Sequence, residues 1–272
     1  MPRWALPLLL CVVAGCTQPS APIPSKPQPH VFVIVMENHS AQQALSGRFI
    51  ASLASTYGVA KNYHAVAHPS LPNYLALTSG STWGVEDDSY HVLPGGKDIG
   101  AQLTAAHVSW RAYMDGMTDA GCIDSPLPYD PGHNPFAFYG GSCPSNVVPL
   151  TELSGDLAGD TPRFVWISPD RCHDTHDCDV SVGDDWLRGQ VGQITSSSAW
   201  KSGGVLFITW DEDDSADDNN DVLTLVVTPG LSHQSSRQHY THYSLLATVE
   251  DLLGIKRLGE SAQASAMHDL LP

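Results

Sequence analysis

Glu37 and Asn38, a carboxylate beside an amide, follow directly on the apolar run Val31 to Met36. Adjacent oxygen donors of this kind suit a hard divalent cation. The apolar run Gly204 to Trp210 has the same design, ending in Asp211, Glu212, Asp213 and Asp214. Two such pairs, delivered from separate strands, would close a metal site from opposite sides. One pair alone would be an ordinary polar strand cap. An EF-hand does not fit, because the alternation Asp211, Asp213, Ser215 meets no Gly at its sixth position and no Glu at its twelfth. The later acids Asp217, Asp218 and Asp221 read as a solvated loop.

A cation held this way activates a nucleophile, and Ser70 is the candidate. Pro69 and Pro72 bracket it, restricting the backbone so that the hydroxyl is presented at a fixed angle. A cation-activated hydroxyl is a strong nucleophile near neutral pH. The plainer alternative is a Pro-rich turn before a helix that starts at Tyr74. No Gly-x-Ser-x-Gly elbow occurs, which disfavours an α/β-hydrolase triad. The oxygen set Glu37, Asn38, Ser70, Asp211 and Glu212 suits Mg²⁺, Mn²⁺ or Ca²⁺ better than Zn²⁺; added histidines would shift the preference toward zinc or iron.

Positioning these groups is a task for strands. Short β-branched runs read as buried parallel strands, and in open α/β sheets chemistry gathers at their carboxyl ends. Runs near 31, 164, 205 and 222 interleave with helix-like segments Gln43 to Tyr57, Asp98 to Ala106, Asp184 to Ser196 and Ser244 to Leu253, the alternation of an α/β protein. After an N-terminal leader and tether, about 240 residues remain, enough for one domain with a substantial core.

Five motifs in order carry a resemblance: Met36 to His39, His68 to Tyr74, His133 to Phe136, Thr209 to Glu212 and Thr241 to Ser244. Together they resemble the phosphoesterase family of the alkaline phosphatase superfamily, which includes bacterial acid phosphatases and phosphatidylcholine-type phospholipases C. The resemblance spans roughly Val31 to Ile255. It implies a three-layer α/β/α sandwich with a mostly parallel central sheet. It also implies a metal held by residues matching Glu37, Asn38, Asp211 and Glu212, and a nucleophile matching Ser70. The nucleotide pyrophosphatase/phosphodiesterase branch has a Thr-x-Pro-Asn segment in which the Thr attacks phosphorus, and Ser70 to Asn73 aligns with it. His68, Asn73, His133 and Asn134 follow as substrate-binding candidates; for His68 a structural hydrogen bond is the alternative.

The chain has 13 histidines, more than one site can use. Asp170, His173 and His176 follow the apolar strand from Phe164 to Ile167. The same phosphodiesterase branch binds a second metal through an Asp and a His four apart after such a strand, plus a distant His that His242 would match. The match is loose, since His173 and His176 stand three and six residues after Asp170. Either Asp170, His173, His176 and His242 hold a second ion, or the histidines stay metal-free, contact phosphate and act as catalytic acids. The single-metal acid phosphatases follow the second pattern. A histidine acid weakens as pH rises through its pKa, so an acidic optimum is expected.

Residues 1–15 have the charge and length of a secretory signal, too short to span a bilayer. They end in a lipobox-like Val13, Ala14, Gly15, Cys16, so lipidation of Cys16 and a bacterial cell-envelope location are expected, with simple secretion as the alternative. Residues 16–29, rich in Pro and Ser, form a tether, and 30–272 the catalytic domain. Cys122, Cys143, Cys172 and Cys178 then remain. In an exported chain they suggest the local disulfides Cys122 with Cys143 and Cys172 with Cys178. A zinc site from Cys172, His173, His176 and Cys178 competes with the second. The formal charge of -16 repels nucleic acid.

Three functions are consistent with this reading. The first is a metal-dependent acid phosphatase acting on small phosphate monoesters. The second is a phospholipase C-type phosphodiesterase acting on phospholipid. The third is a non-catalytic, cation-binding surface lipoprotein.

Overall fold

The structure, a computed structural model, describes residues 1–2, 28–214 and 219–272. The signal segment, Cys16 and most of the tether lie outside the described residues. The strands are β1 (Val31–Met36), β2 (Gly58–Ala60), β3 (Tyr63–His64), β4 (Trp110–Met114) and β5 (Val147–Pro149), followed by β6 (Phe164–Ser168), β7 (Val205–Trp210), β8 (Thr224–Val227), β9 (Gln234–Ser236) and β10 (Tyr240–Thr241). Eight of them make one sheet of order β5-β4-β6-β1-β7-β8-β2-β9, while β10 pairs with β3.

β1, β6 and β7 are buried along their whole length. That is why they appear in the sequence as unbroken apolar runs rather than as alternating ones. β1 runs parallel to β6 on one side and to β7 on the other, and β4 runs parallel to β6. The strand expected near 222 is β8, and it is antiparallel to both its neighbours. The sheet is therefore mostly parallel.

Helices cover the faces. Arg48–Thr56 packs against Val180–Ser196, and Ser70–Ser79 against His242–Leu253. Every residue of Ser70–Ser79 is buried, so this helix is a central support rather than a surface element. It stops at Gly80, whose φ of 70° is left-handed, a conformation that favours glycine. A Cβ there would also run into the Leu258 carbonyl. Among the described residues, no helix is long and apolar enough to cross a membrane.

Candidate active site

Four neighbouring parallel strands, β4, β6, β1 and β7, end on the same edge of the sheet. The residues just past those ends include Asp115, Asp170, Glu37 and the pair Asp211 and Glu212. Ser70 comes to this edge as the first residue of its helix, capped by Pro69. The helix thus starts at Ser70 and not at Tyr74 as the prolines suggested. Proline is tolerated in a helix's first turn, where its missing N–H has no partner to lose. Ser70 consequently sits where the helix dipole favours negative charge.

The Ser70 hydroxyl lies 2.8 Å from Glu212 Oε1 and 3.2 Å from Glu37 Oε2. One hydroxyl proton can serve only one of these oxygens, so the other approach needs further positive charge. Close by, the Asn38 backbone N–H donates to Asp211 Oδ1 at 3.2 Å. Asn38 holds this place with a left-handed φ of 47°, uncommon for any residue but glycine. Asn38 Oδ1 and Asp211 Oδ2 are both buried without a hydrogen-bond partner among the described residues.

Electrostatics point the same way. Burial, then the charges of Asp211 and Asp174, lift the Glu37 carboxyl well above the usual range. Asp211 is pushed up to about 8, first by burial and then by Glu212. Burial also raises Glu212. Carboxylates this crowded and this dry are stable only with protons or a cation among them. The unpartnered oxygens of Asn38 and Asp211, with the carboxylate of Glu37 and the Ser70 hydroxyl, are donors of the type a hard divalent cation takes.

The residues around this centre divide sharply. His68 Nδ1 donates to Glu212 Oε2, so Glu212 is held between His68 and Ser70. Asn73, expected to bind substrate, has its amide committed elsewhere. Its Oδ1 accepts from the N–H groups of Val66 and Ala67, and its Nδ2 donates to the carbonyls of Ala67 and Pro69. It shapes the loop that presents Ser70. Removing these buried bonds in Asn73→Ala should cost about 3 kcal/mol and lower Tm by roughly 6 to 12 °C in a thermal melt; an unchanged Tm would reject the loop-clamp role.

His242 is a correction to the expected catalytic or second-metal set. It is fully buried; Nε2 donates to the Asp211 carbonyl at 2.6 Å, and Nδ1 accepts from the Tyr63 hydroxyl at 3.0 Å. Burial pulls its pKa down to about 4, so it is neutral with both nitrogens in use. No nitrogen is left for an ion or a leaving group. Of the rest of that set, Asp170 and His173 come together with Asp115, and His176 stands apart. His173 Nδ1 lies 2.8 Å from Asp115 Oδ2 and 3.2 Å from Asp170 Oδ2, and its ring stacks on Trp186. His176 Nδ1 faces Asp177 Oδ1 at 2.7 Å, with Arg171 alongside. Asn134, the other substrate candidate, is fully buried and donates to the Tyr129 hydroxyl at 3.0 Å.

The four cysteines form two disulfides, Cys122 to Cys143 and Cys172 to Cys178. A zinc site through Cys172 and Cys178 is thereby excluded, since disulfide sulfur is no thiolate ligand.

His133, in contrast, is central. Its Nδ1 is 3.0 Å from Asp174 Oδ2, its Nε2 is 3.5 Å from Glu37 Oε1, and its ring stacks parallel on Tyr74 at 5.4 Å. Burial alone would lower its pKa, but the hydrogen bond and charge of Asp174 outweigh burial and raise it. Glu37, His133 and Asp174 bring donor atoms within 4.8 Å of one another, as do Asp115, Asp170 and His173. Tyr74, whose hydroxyl donates to Glu37 Oε1, stands in the sequence as the end of the His68 to Tyr74 motif and the start of a helix, with no role of its own assigned. Asp115 was missed because nothing marks its strand. Asp174 carries a signal: it stands four residues after Asp170, where the phosphodiesterase branch would have its histidine.

The family description "Phosphoesterase family" matches residues 45–256. The chain belongs to the phosphoesterase family. Among similar proteins, the phosphate-repressible acid phosphatase of Penicillium chrysogenum is 26% identical over 83% of this chain and 59% of that protein. The acid phosphatase of Aspergillus fumigatus is 25% identical over 84% and 55%. The chain thus spans somewhat over half the length of these relatives. The phosphatidylinositol-3-phosphatase of Mycobacterium tuberculosis is 27% identical, over 89% of this chain and 82% of that protein. Among solved structures, murine ectonucleotide pyrophosphatase/phosphodiesterase 5 in complex with AMP has a TM-score of 0.64 at 10% identity, covering 90% of this chain and 100% of that one. An alkaline phosphatase superfamily protein from Vibrio parahaemolyticus has a TM-score of 0.63 at 12% identity, covering 90% and 72%. The phosphoesterase domain thus has the α/β fold of the alkaline phosphatase superfamily.

Proposed function

We propose that this phosphoesterase hydrolyses phosphate monoesters, in the manner of an acid phosphatase, with Ser70 as nucleophile and a divalent cation held by Glu37, Asn38, Asp211 and the Ser70 oxygen. The observation that carries the reading is the Ser70 hydroxyl held between Glu37 and Glu212 in a site where the buried oxygens of Asn38 and Asp211 have no hydrogen-bond partner among the described residues. The all-oxygen donor set favours Mg²⁺, Mn²⁺ or Ca²⁺. When bound, such a cation supplies positive charge that lowers the hydroxyl pKa and offsets charge on the phosphoryl oxygens.

The protein's own groups do the rest. Ser70 Oγ attacks phosphorus as its proton passes to Glu212 Oε1, 2.8 Å away, and the ester P–O bond opposite breaks, the departing alkoxide taking a proton from solvent to leave as the alcohol. Water then attacks the phosphoserine and releases its proton to solvent, and phosphate leaves as the Ser70 oxygen takes back the proton held on Glu212. His68 holds the second Glu212 oxygen and so orients the proton acceptor. The helix N-terminus at Ser70 favours the negative charge that gathers there.

Monoester chemistry is favoured by similarity to proteins named acid phosphatases and a phosphatidylinositol-3-phosphatase. The disulfides support an exported protein, since such bonds persist in oxidising compartments. The test compares p-nitrophenyl phosphate, bis-p-nitrophenyl phosphate and a choline phospholipid, each with Mg²⁺ or with chelator. Monoester turnover at least about 100-fold above the diester, abolished by chelation and highest below neutral pH, is expected. Equal or faster diester or phospholipid turnover would move the assignment to a phospholipase C type. No turnover by metal-loaded protein would leave a cation-binding surface protein, and a rate still climbing at pH 9 would reject the acid-phosphatase form.

A further inference from the structure

Asp174 is fully buried and belongs neither to the cation donors nor to the nucleophile's partners. Its main chain grips the first strand's end: its carbonyl accepts the Glu37 N–H at 2.9 Å, and its own N–H donates to the Asp170 carbonyl at 2.8 Å. Thr175 completes the grip, its hydroxyl donating to the Glu37 carbonyl at 3.0 Å from a backbone with φ 84°. A β-branched residue held there marks a strained position that its surroundings must enforce. Two devices enforce it. The Cys172 to Cys178 disulfide closes the loop around it, and Gly183 lets the Val180–Ser196 helix press close, since a Cβ there would strike Thr175 and come within 2.9 Å of the His173 carbonyl.

The Asp174 carboxylate is equally committed. Oδ1 accepts the His176 N–H at 2.7 Å and Oδ2 accepts from His133 Nδ1 at 3.0 Å. That second bond places the Nε2 edge of His133 3.5 Å from Glu37 Oε1. Tyr74 fixes the imidazole plane from one side, and Ser168 Oγ anchors the His133 carbonyl at 2.7 Å.

We propose that Asp174 is a positioning residue for the hydrolysis, acting through His133: by accepting from Nδ1 it sets which nitrogen carries the ring proton and aims the Nε2 edge at the Glu37 side of the centre. A buried carboxylate behind a histidine fixes both tautomer and orientation. This role rests on the phosphoesterase reading above. Asp174→Asn is the informative change because it keeps shape and main-chain grip. With Oδ1 still accepting from His176, the new amide presents N–H groups to His133 Nδ1, driving the ring proton to the wrong nitrogen.

The experiment is a double-mutant cycle of Asp174→Asn and His133→Ala, reading kcat for p-nitrophenyl phosphate, the affinity for inorganic phosphate by calorimetry, and Tm. Asp174→Asn is expected to lower kcat roughly 100-fold with Tm within a few degrees of wild type, yet to change kcat less than about 3-fold when His133 is already Ala. An unchanged kcat in the single variant, or an undiminished loss in the His133→Ala background, overturns the proposal and leaves Asp174 a structural residue. Should Asp174→Asn not fold, His133→Asn keeps a donor for Asp174 while deleting the Nε2 edge. It should lose kcat by a similar factor, and full activity there overturns the proposal as well. A wild-type protein without turnover on any ester refutes the phosphoesterase reading, while the same cycle read in phosphate affinity still decides whether Asp174 works through His133.

Discussion

Ser70→Ala is expected to lower phosphatase turnover by roughly 10⁴-fold or more while leaving the fold in place. Deleting a covalent nucleophile abolishes the two-step route and leaves only the assistance of the surrounding charge. The fold should survive because the change removes one oxygen from a helix start that Pro69 caps without any side-chain hydrogen bond. It does remove a buried hydrogen bond, from Ser70 Oγ to Glu212 Oε1 at 2.8 Å, at a cost of about 1 to 2 kcal/mol. Tm with chelator should therefore fall by only roughly 2 to 8 °C. Phosphoserine should be trapped at residue 70 after acid quench of wild type and be missing from the variant. Wild-type rates in Ser70→Ala would instead make activated water the attacking group.

Chelation should destabilise the protein strongly, and more so as pH rises. Asp211 in the folded protein titrates at about 8, against an ordinary 3.8, and Glu37 and Glu212 shift in the same direction. A raised carboxyl means that the folded state holds protons the unfolded chain has already released. The stability so gained is complete below about pH 4 and drains away as pH climbs toward 8. A cation takes over from those protons. We expect the chelated protein to lose roughly 10 °C of Tm between pH 5 and pH 8, and saturating Mg²⁺ to restore far more at pH 8 than at pH 5. Asp211→Asn should flatten the pH dependence of the chelated form and weaken Mg²⁺ binding in calorimetry. A chelated Tm that stays level or rises over that interval would mean that these carboxylates are ionised without help, and the cation site would be lost with it.

What the sequence disclosed follows from how visible each cause is along the chain. β1, β6 and β7 are buried on both faces, so their apolar runs stand out. β4 hides because Arg111 interrupts it, its guanidinium reaching Glu152 and Asp156 at 2.8 Å. β2 and β9 hide because they are only three residues long. The pairs Glu37 with Asn38 and Asp211 with Glu212 stand out in the sequence because each is local, and Glu37 and Glu212 both reach the Ser70 hydroxyl. The Asp174 to His133 bond joins residues 41 apart, a relation that no local spacing reveals. His242 illustrates the opposite error. Its type and place matched a ligand, and only the three-dimensional packing discloses that Tyr63 and the Asp211 carbonyl have claimed both nitrogens.

The order of strands also governs how this molecule can be made. β1 is the first strand among the described residues, but its two neighbours are β6 and β7, beginning at Phe164 and Val205. During synthesis the sticky segment from Val31 to Met36 must therefore wait, unpaired, until most of the polypeptide has been made. Parallel pairing over such distances is slow and leaves strand edges open to other chains. A product that terminates before Asp211 cannot close the cation centre at all. On the proposed reading, loading of an ion would thus be a late event, and a chaperone that shields the strand Val31–Met36 would matter more to yield than one acting on the helix His242–Leu253.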